Sequence, residues 1–275
     1  MTEQSFPDSF VLLQQEGFLI HSSITLGLTA LRNAHVGDKG PYYTAFFQLA
    51  IGLERIMKAV LILDHMAEND LRPPTTAVLK RHGHKLIALF ESMRSMGTSS
   101  QPHPLATVQP GSIEYDILEH LSDFANGARY FNLDTLSSRR AQGDPLERWN
   151  RILSRILAED VPTREKARVG FEAAVVADAL SGHAKFIVHG LDKKLLSFEE
   201  ALELPALSSV AARYAIYRVF LLLVPLKAVL AAATDRVMGL DLARGAQAPS
   251  VPYMHEFLRF VWLDRPLILR KKRWP

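Results

Sequence analysis

The chain has no cysteine. That removes disulfides, thiolate zinc sites, iron–sulfur clusters and cysteine nucleophiles together, and it fits a reducing compartment, so a cytoplasmic location is expected. Strand signals are nearly as scarce. Alternating polar and apolar residues with Asn-Gly or Asp-Gly turns are missing, whereas apolar residues recur at helical spacing throughout. Glycine and proline number fifteen each, too few for a low-complexity chain. A dominant charge is lacking as well: the formal net charge is +3 over 275 residues, which does not announce a nucleic-acid binder. There is no Gly-x-Ser-x-Gly elbow, no Walker A loop and no Gly-x-Gly-x-x-Gly fingerprint. Serine hydrolases, P-loop enzymes and dinucleotide oxidoreductases are therefore disfavoured, and no cofactor is expected.

Long uncharged apolar runs are also wanting. The greasiest stretch is Val219 to Ala233, but Arg218 precedes it, Lys227 interrupts it and Pro225 breaks its helical pattern. Its charge-free part falls short of the roughly 20 residues a bilayer demands, so a buried core helix is expected and a membrane partner is not. The opening "MTEQSFPDSFVLLQQEGFLI" carries acids and no early basic residue, unlike a secretory signal.

What is present is the material of an all-α protein. Hydrophobic residues make up 48% of the chain and charged ones 22%, a globular balance with ample core. The spacing predicts six to eight helices. The first runs from Ser9 to Arg32 with an interruption near Gly17, and the second from Tyr42 to Met66. A third is capped by Thr75 or Thr76 and runs through "AVLKRHGHKLIALFESM". The fourth starts at Ser112 and runs through "IEYDILEHLSDFANGARYF". The fifth is "GDPLERWNRILSRILAED", and the next runs from Arg164 to about His189. An apolar helix spans Ser208 to Gly239. A soft boundary near 160 divides a helical bundle, 1–160, from a C-terminal helical extension packed on it, 161–275, which ends in a basic tail, 265–275.

The second helix poses the functional question. "YYTAFFQLAIGLERIMKAVLILDH" is apolar nearly all round, yet Glu54, Arg55 and Lys58 sit in its middle, and a helix apolar on every side is usually buried. Glu54, Lys58 and His65 fall within roughly 40° on the helical wheel. Glu54 and Lys58 stand in the i,i+4 order that suits an ion pair. Burying such a pair is costly without further partners, so more polar groups should converge. "KRHGHKL" offers His82, His84 and Lys85. "ANGARYFNLD" offers Arg129, Tyr130, Asn132 and Asp134. Two readings stay open: a self-satisfied cluster that locks the register of a non-catalytic scaffold or dimerisation module, or a pocket that binds or cuts something anionic. Groups sealed from water favour the first, an open cleft the second.

The run "GLERIMKAVLILDH", followed after a proline break by "LKRHGHKLIALF" and then "ARYFNLD", resembles bacterial members of the HEPN superfamily over roughly residues 20 to 160. The resemblance implies an up-and-down bundle of four or five helices, commonly a homodimer. It also implies a role in defence, stress or toxin–antitoxin systems, through RNA or a partner protein. Nuclease members carry an arginine followed, after four to six residues, by histidine. None of the ten histidines here has an arginine at that spacing, and Asp134 stands at the corresponding offset from Arg129. If the site cuts RNA, a metal-independent ribonuclease is implied, with His84 as base and Arg129, Arg55 or Lys58 as the stabilising cation.

Two further features bear on ligands. His82 and His84 lack the i,i+4 spacing and nearby acid of a helical zinc site, so no metal is expected. The tail "RPLILRKKRWP" reads either as a solvated charge run or as a phosphate-contacting arm. In the second case Arg270, Lys271, Lys272 and Arg273 are the cations, and Trp262 or Trp274 is available to stack on a base.

Overall fold

The structure, a computed structural model, describes residues 6–77, 83–96, 103–137, 143–180, 183 and 187–275. Among them the chain is an all-α bundle without named strands. Its helices are α1 (Asp8–Asn33), α2 (Gly40–Glu68), α3 (Leu86–Arg94), α4 (Ile113–Ala125), α5 (Phe131–Leu136), α6 (Pro145–Glu159), α7 (Thr163–Leu180), α8 (Phe198–Ala243) and α9 (Arg265–Arg270). Short 3₁₀ turns lie at Pro104–Thr107, Ala128–Tyr130 and Met254–Leu258.

The hairpin of α1 and α2 is the most closely packed pair. Glycines set its spacing: a Cβ on Gly27 would lie 2.7 Å from Leu49 Cγ, and one on Gly52 would lie 2.5 Å from Ile24 Cδ1. Each glycine receives an aliphatic side chain of the opposite helix, so the backbones approach closely. The interruption expected at Gly17 does not occur, and α1 runs unbroken. Gly17 instead receives the Phe257 ring, whose Cδ2 would sit 2.3 Å from an added Cβ.

α8 is the axis of the bundle. It is one helix of 46 residues, and it packs on α1, α2, α4, α6, α7, α9 and two of the 3₁₀ turns. Between Ala211 and Val237 its inward-facing residues, Ile216, Val219, Phe220, Leu222, Leu223, Leu226 and Leu230 among them, are sealed from solvent, while Leu221, Val224 and Ala228 lie on a less covered strip. The hydrophobic cluster extends from Leu13 to Ile268 and draws on residues from both sides of position 160. By length and composition α8 is the one helix among the described residues apolar enough to cross a bilayer, and 56% of its most apolar window is buried inside the protein.

Several boundaries differ from expectation, each for a local reason. Pro225 does not break α8, nor does Pro205. An internal proline costs about 3 kcal/mol, and at Pro225 complete burial of its neighbours Leu222, Leu223 and Leu226 offsets it. The helix starts earlier than Ser208 because Ser197 and Glu200 form a reciprocal capping box. Ser197 Oγ accepts from the Glu200 N–H at 3.2 Å, and Glu200 Oε2 accepts from the Ser197 N–H at 2.8 Å. The helix expected to reach His189 is described as far as Leu180, and His183 and residues 187–189 are no longer helical. Residues 188–196 form a small turn in which Leu196 N–H donates to Val188 O, Gly190 N–H donates to Lys194 O, and Lys193 holds φ 64°.

The helix expected to continue through Phe131 ends at Ala125, because Gly127 adopts φ 142°. The third helix is also not continuous. Gly83 takes the left-handed φ of 54° that glycine adopts without strain, and α3 begins only at Leu86. Residues 78–82 lie outside the described residues. The Ser112 cap is in place, its hydroxyl accepting from the Tyr115 N–H.

The glycine-set hairpin makes a direct prediction. Gly52→Val or Gly27→Val should lower unfolding free energy by about 1–3 kcal/mol through overpacking, measured by chemical denaturation. Gly239→Ala on α8, where a Cβ meets open space, should not destabilise.

Candidate functional site

The polar groups of α2 open into a cavity of about 470 Å³. α1 contributes Leu13 and Glu16, α2 one face from Phe47 to Ile62, the turn before α3 His84, and the end of α4 with its following 3₁₀ turn Phe124, Ala125 and Arg129. Glu54, Arg55, Lys58, His84 and Arg129, brought together by sequence reasoning from three separate segments, all line it.

Glu54 is the hub. Its side chain is only 15% exposed, and a carboxylate so enclosed must be satisfied by charge or hydrogen bonds. Lys58 Nζ, one turn along α2, donates to Oε1 at 2.6 Å. His84 Nδ1 lies 3.1 Å from Oε1 and 3.0 Å from Oε2. Facing a carboxylate, Nδ1 is the nitrogen that donates, so in the neutral tautomer of the ring the lone pair is on Nε2. His84 itself is 67% exposed at the mouth. The cluster is therefore neither sealed nor on a wet helical face: the acid is inside and the imidazole at the opening.

The second ion pair joins α2 to α1, with Arg55 Nη1 donating to Glu16 Oε2 at 2.5 Å. Glu16 was not foreseen. Its signal was a single acid inside "VLLQQEGFLI", and no periodicity ties position 16 to position 55. Arg129 has no carboxylate within ion-pair distance among the described residues, and its guanidinium stacks over the Tyr130 ring at 5.0 Å. The rest of the predicted cluster does not line the cavity. Tyr130 supports Arg129 from outside, Asn132 Nδ2 donates to the Tyr43 hydroxyl at 3.3 Å, and Asp134 lies on α5. His82 lies outside the described residues.

The basic tail is placed elsewhere. Trp274 N–H donates to Thr29 Oγ1 at 3.1 Å, about 20 Å along α1 from Glu16. The Trp274 ring packs on Phe220 at 4.8 Å, and Lys271 lies over it. Trp274 is therefore engaged, and Trp262 is the exposed tryptophan.

Two other polar clusters are structural. Arg218 of α8 makes a bidentate pair with Asp160 at 2.7 and 2.8 Å and a third bond to Glu114 at 2.8 Å. Those bonds, Asp160 first, raise its guanidinium above the usual arginine range. His120 of α4 is fully buried between Phe46 and Trp149, and its Nε2 has no partner. Burial, with the nearby charge of Arg148, pushes its imidazole down to about 3. Among the described residues no group of three or more His, Cys, Asp or Glu converges as a metal site.

No family model, curated protein or solved structure matches the chain.

His120 makes stability pH-dependent in a defined direction. The ring is neutral in the fold and protonates on unfolding near its ordinary value of about 6.5. Its contribution is complete above that pH and lost as pH falls toward about 3. Unfolding free energy should drop by about 2 kcal/mol between pH 6.5 and 5. His120→Phe should flatten that slope in denaturation curves taken across the range.

Proposed function

We propose that the cavity binds an RNA strand at a phosphate and cleaves it without a metal, in a HEPN-like cytoplasmic protein of a bacterial defence, stress or toxin–antitoxin system. The observation that carries this reading is the His84–Glu54 pair. A histidine whose Nδ1–H is held by a clamped carboxylate has its tautomer fixed and its Nε2 ready as a general base. Arg129, on the same rim and unmatched by any carboxylate among the described residues, is the cation that a phosphorane needs. The apolar lining, Phe47 above all, with Ile51 beside it, offers surface for a base.

In this scheme Nε2 of His84 takes the proton of a ribose 2′-hydroxyl. The 2′-oxygen forms a bond to the adjacent phosphorus as the bond from phosphorus to the 5′-oxygen breaks. The imidazolium then returns its proton to the departing 5′-oxygen, leaving a cyclic phosphate. Lys58 holds Glu54 in place throughout, and Arg55 is held on Glu16 as part of the wall.

His84→Ala and Arg129→Ala should each lower cleavage of a cellular RNA by about 10²-fold or more with unchanged circular dichroism. Lys85→Ala, beside His84 but outside the cavity lining, should leave it unaltered. Unchanged cleavage or toxicity in the two active-site variants would reject the ribonuclease reading and leave the scaffold, in which Glu54, Lys58, Arg55 and Glu16 satisfy one another.

The reading includes a homodimer. α1 turns Leu12, Leu19 and Leu26, seven residues apart, to solvent together with Val11 and Phe18. A repeat of that spacing places them on one stripe, the kind of surface an isologous interface covers. Light scattering should report a dimer, and Leu19→Asp with Leu26→Asp should convert it to a monomer without unfolding it.

A further inference from the structure

Residues 262–267, between the last 3₁₀ turn and the body of α9, are all exposed, and they include Trp262, Leu263 and Leu267. Single exposed apolar residues are ordinary. Three within six positions, on a loop anchored at both ends, are not. Val261 is buried and its carbonyl accepts from Lys227 Nζ at 3.1 Å, while Ile268 is buried on the far side. The loop is a supported ridge.

The ridge is flanked by cations without acid partners. Arg265, Arg270, Lys271, Lys272 and Arg273 make no ion pair among the described residues. Arg265 lies over the Tyr217 ring at 5.4 Å, Arg270 Nε donates to Pro266 O at 3.1 Å, and Lys271 lies over Trp274. The acids of the same segment are committed, Asp264 to the Leu267 N–H at the start of α9 and Glu256 to Arg259. Trp274, packed on Phe220 and tied to Thr29, fixes the end of the tail so that its cations hold their place beside the ridge.

We infer that this face, formed by the 262–267 ridge and the C-terminal cations, docks on an anionic phospholipid bilayer. Trp262, Leu263 and Leu267 enter the boundary between headgroups and acyl chains, and Arg265, Arg270, Lys272 and Arg273 lie over lipid phosphates. The chemistry of the ridge decides between a bilayer and a nucleic acid. Both would satisfy the cations, and both accept a tryptophan. Leucines present no face to a base, so RNA would leave Leu263 and Leu267 in water, whereas a bilayer takes up all three. Attraction of the cations to anionic headgroups and partitioning of the apolar tip are the two signals that peripheral attachment needs together. The inference is independent of the cavity chemistry, which lies on α2.

The test uses the full chain, with flotation on phosphatidylcholine vesicles that lack or contain phosphatidylglycerol. Binding is expected only to the anionic vesicles, to weaken as salt rises, and to shift tryptophan emission to the blue, a shift lost in Trp262→Phe. Arg270→Gln, Lys272→Gln and Arg273→Gln combined should weaken binding by about 10²-fold, at about fivefold for each cation. Leu263→Ser with Leu267→Ser should weaken it at least tenfold. All these side chains are exposed, or nearly so, and circular dichroism should not change. Absence of flotation on anionic vesicles overturns the inference. So does flotation that is insensitive to the Leu263 and Leu267 substitutions, which would leave charge alone. Binding of a single-stranded RNA oligonucleotide that the triple charge variant abolishes, with no vesicle binding, would assign the tail to nucleic acid instead.

Discussion

A helix that is apolar on every side can be satisfied only by being surrounded, and α8 imposes that condition on the whole chain. From Ala211 to Val237 it buries most of its circumference, with a strip through Leu221, Val224 and Ala228 left only partly covered, and the apolar area removed from water, at about 25 cal/mol per Å², favours the bundle built around it. Six other helices supply the wall. Their order follows from who can offer an apolar face: α6 gives Trp149, Leu153 and Ile156, and α4 gives Ile117, Leu121 and Phe124. Charges near the axis are tolerated only where they are fully answered. Arg218 sits on α8 itself and is matched by Glu114 and Asp160 through three bonds. Lys227 reaches the Val261 carbonyl instead of an acid, and burial lowers its ammonium below the usual range.

α2 meets the same condition with less surrounding structure. It shares one side with α1 through Gly27 and Gly52 and another with α8, so most of its apolar circumference is covered. Its charged triplet is left where α1, α4 and the entry to α3 do not quite meet. The cavity is the consequence: a gap in the wall at the one stretch of α2 that carries polar groups able to tolerate water. Closing that gap would cost the desolvation of Glu54, Lys58 and Arg55 together, and the open arrangement avoids it.

How much of this the sequence disclosed depends on the kind of signal. Helical periodicity is local, so the all-α class, the extent of α1, α2 and α6 and the Ser112 cap were legible. The convergence of Glu54, Lys58, His84 and Arg129 was legible because a buried ion pair demands partners and few segments could supply them. Backbone conformations set by single residues were not. Gly127 adopts a positive φ that ends a helix and Gly83 one just ahead of α3, and a glycine in an otherwise helical pattern does not disclose its φ. Pro225 misled in the opposite sense, since its cost is local while the burial that offsets it comes from helices far along the chain. Ser197 and Glu200 carry a readable capping signature, and the helix expected from Ser208 left it out. Glu16 could be paired with Arg55 only by the hairpin itself.

The difference between a polar cluster that holds a protein together and one that acts lies in what remains unmatched. Around Arg218 nothing does: each guanidinium nitrogen finds a carboxylate, and the result is a rivet. His120 is unmatched, but it is fully enclosed and neutral and spends its mismatch on stability alone. Around Glu54 the inner bonds are satisfied while the outer groups are not. Glu54 holds Lys58 and His84 Nδ1, and Arg55 holds Glu16, so no member is free to collapse onto another. What faces the opening is then one imidazole nitrogen and one guanidinium without an acid among the described residues, held apart by the bonds behind them. In the function proposed above that pair is what receives the anion, and the carboxylates behind it are already occupied before the ligand arrives.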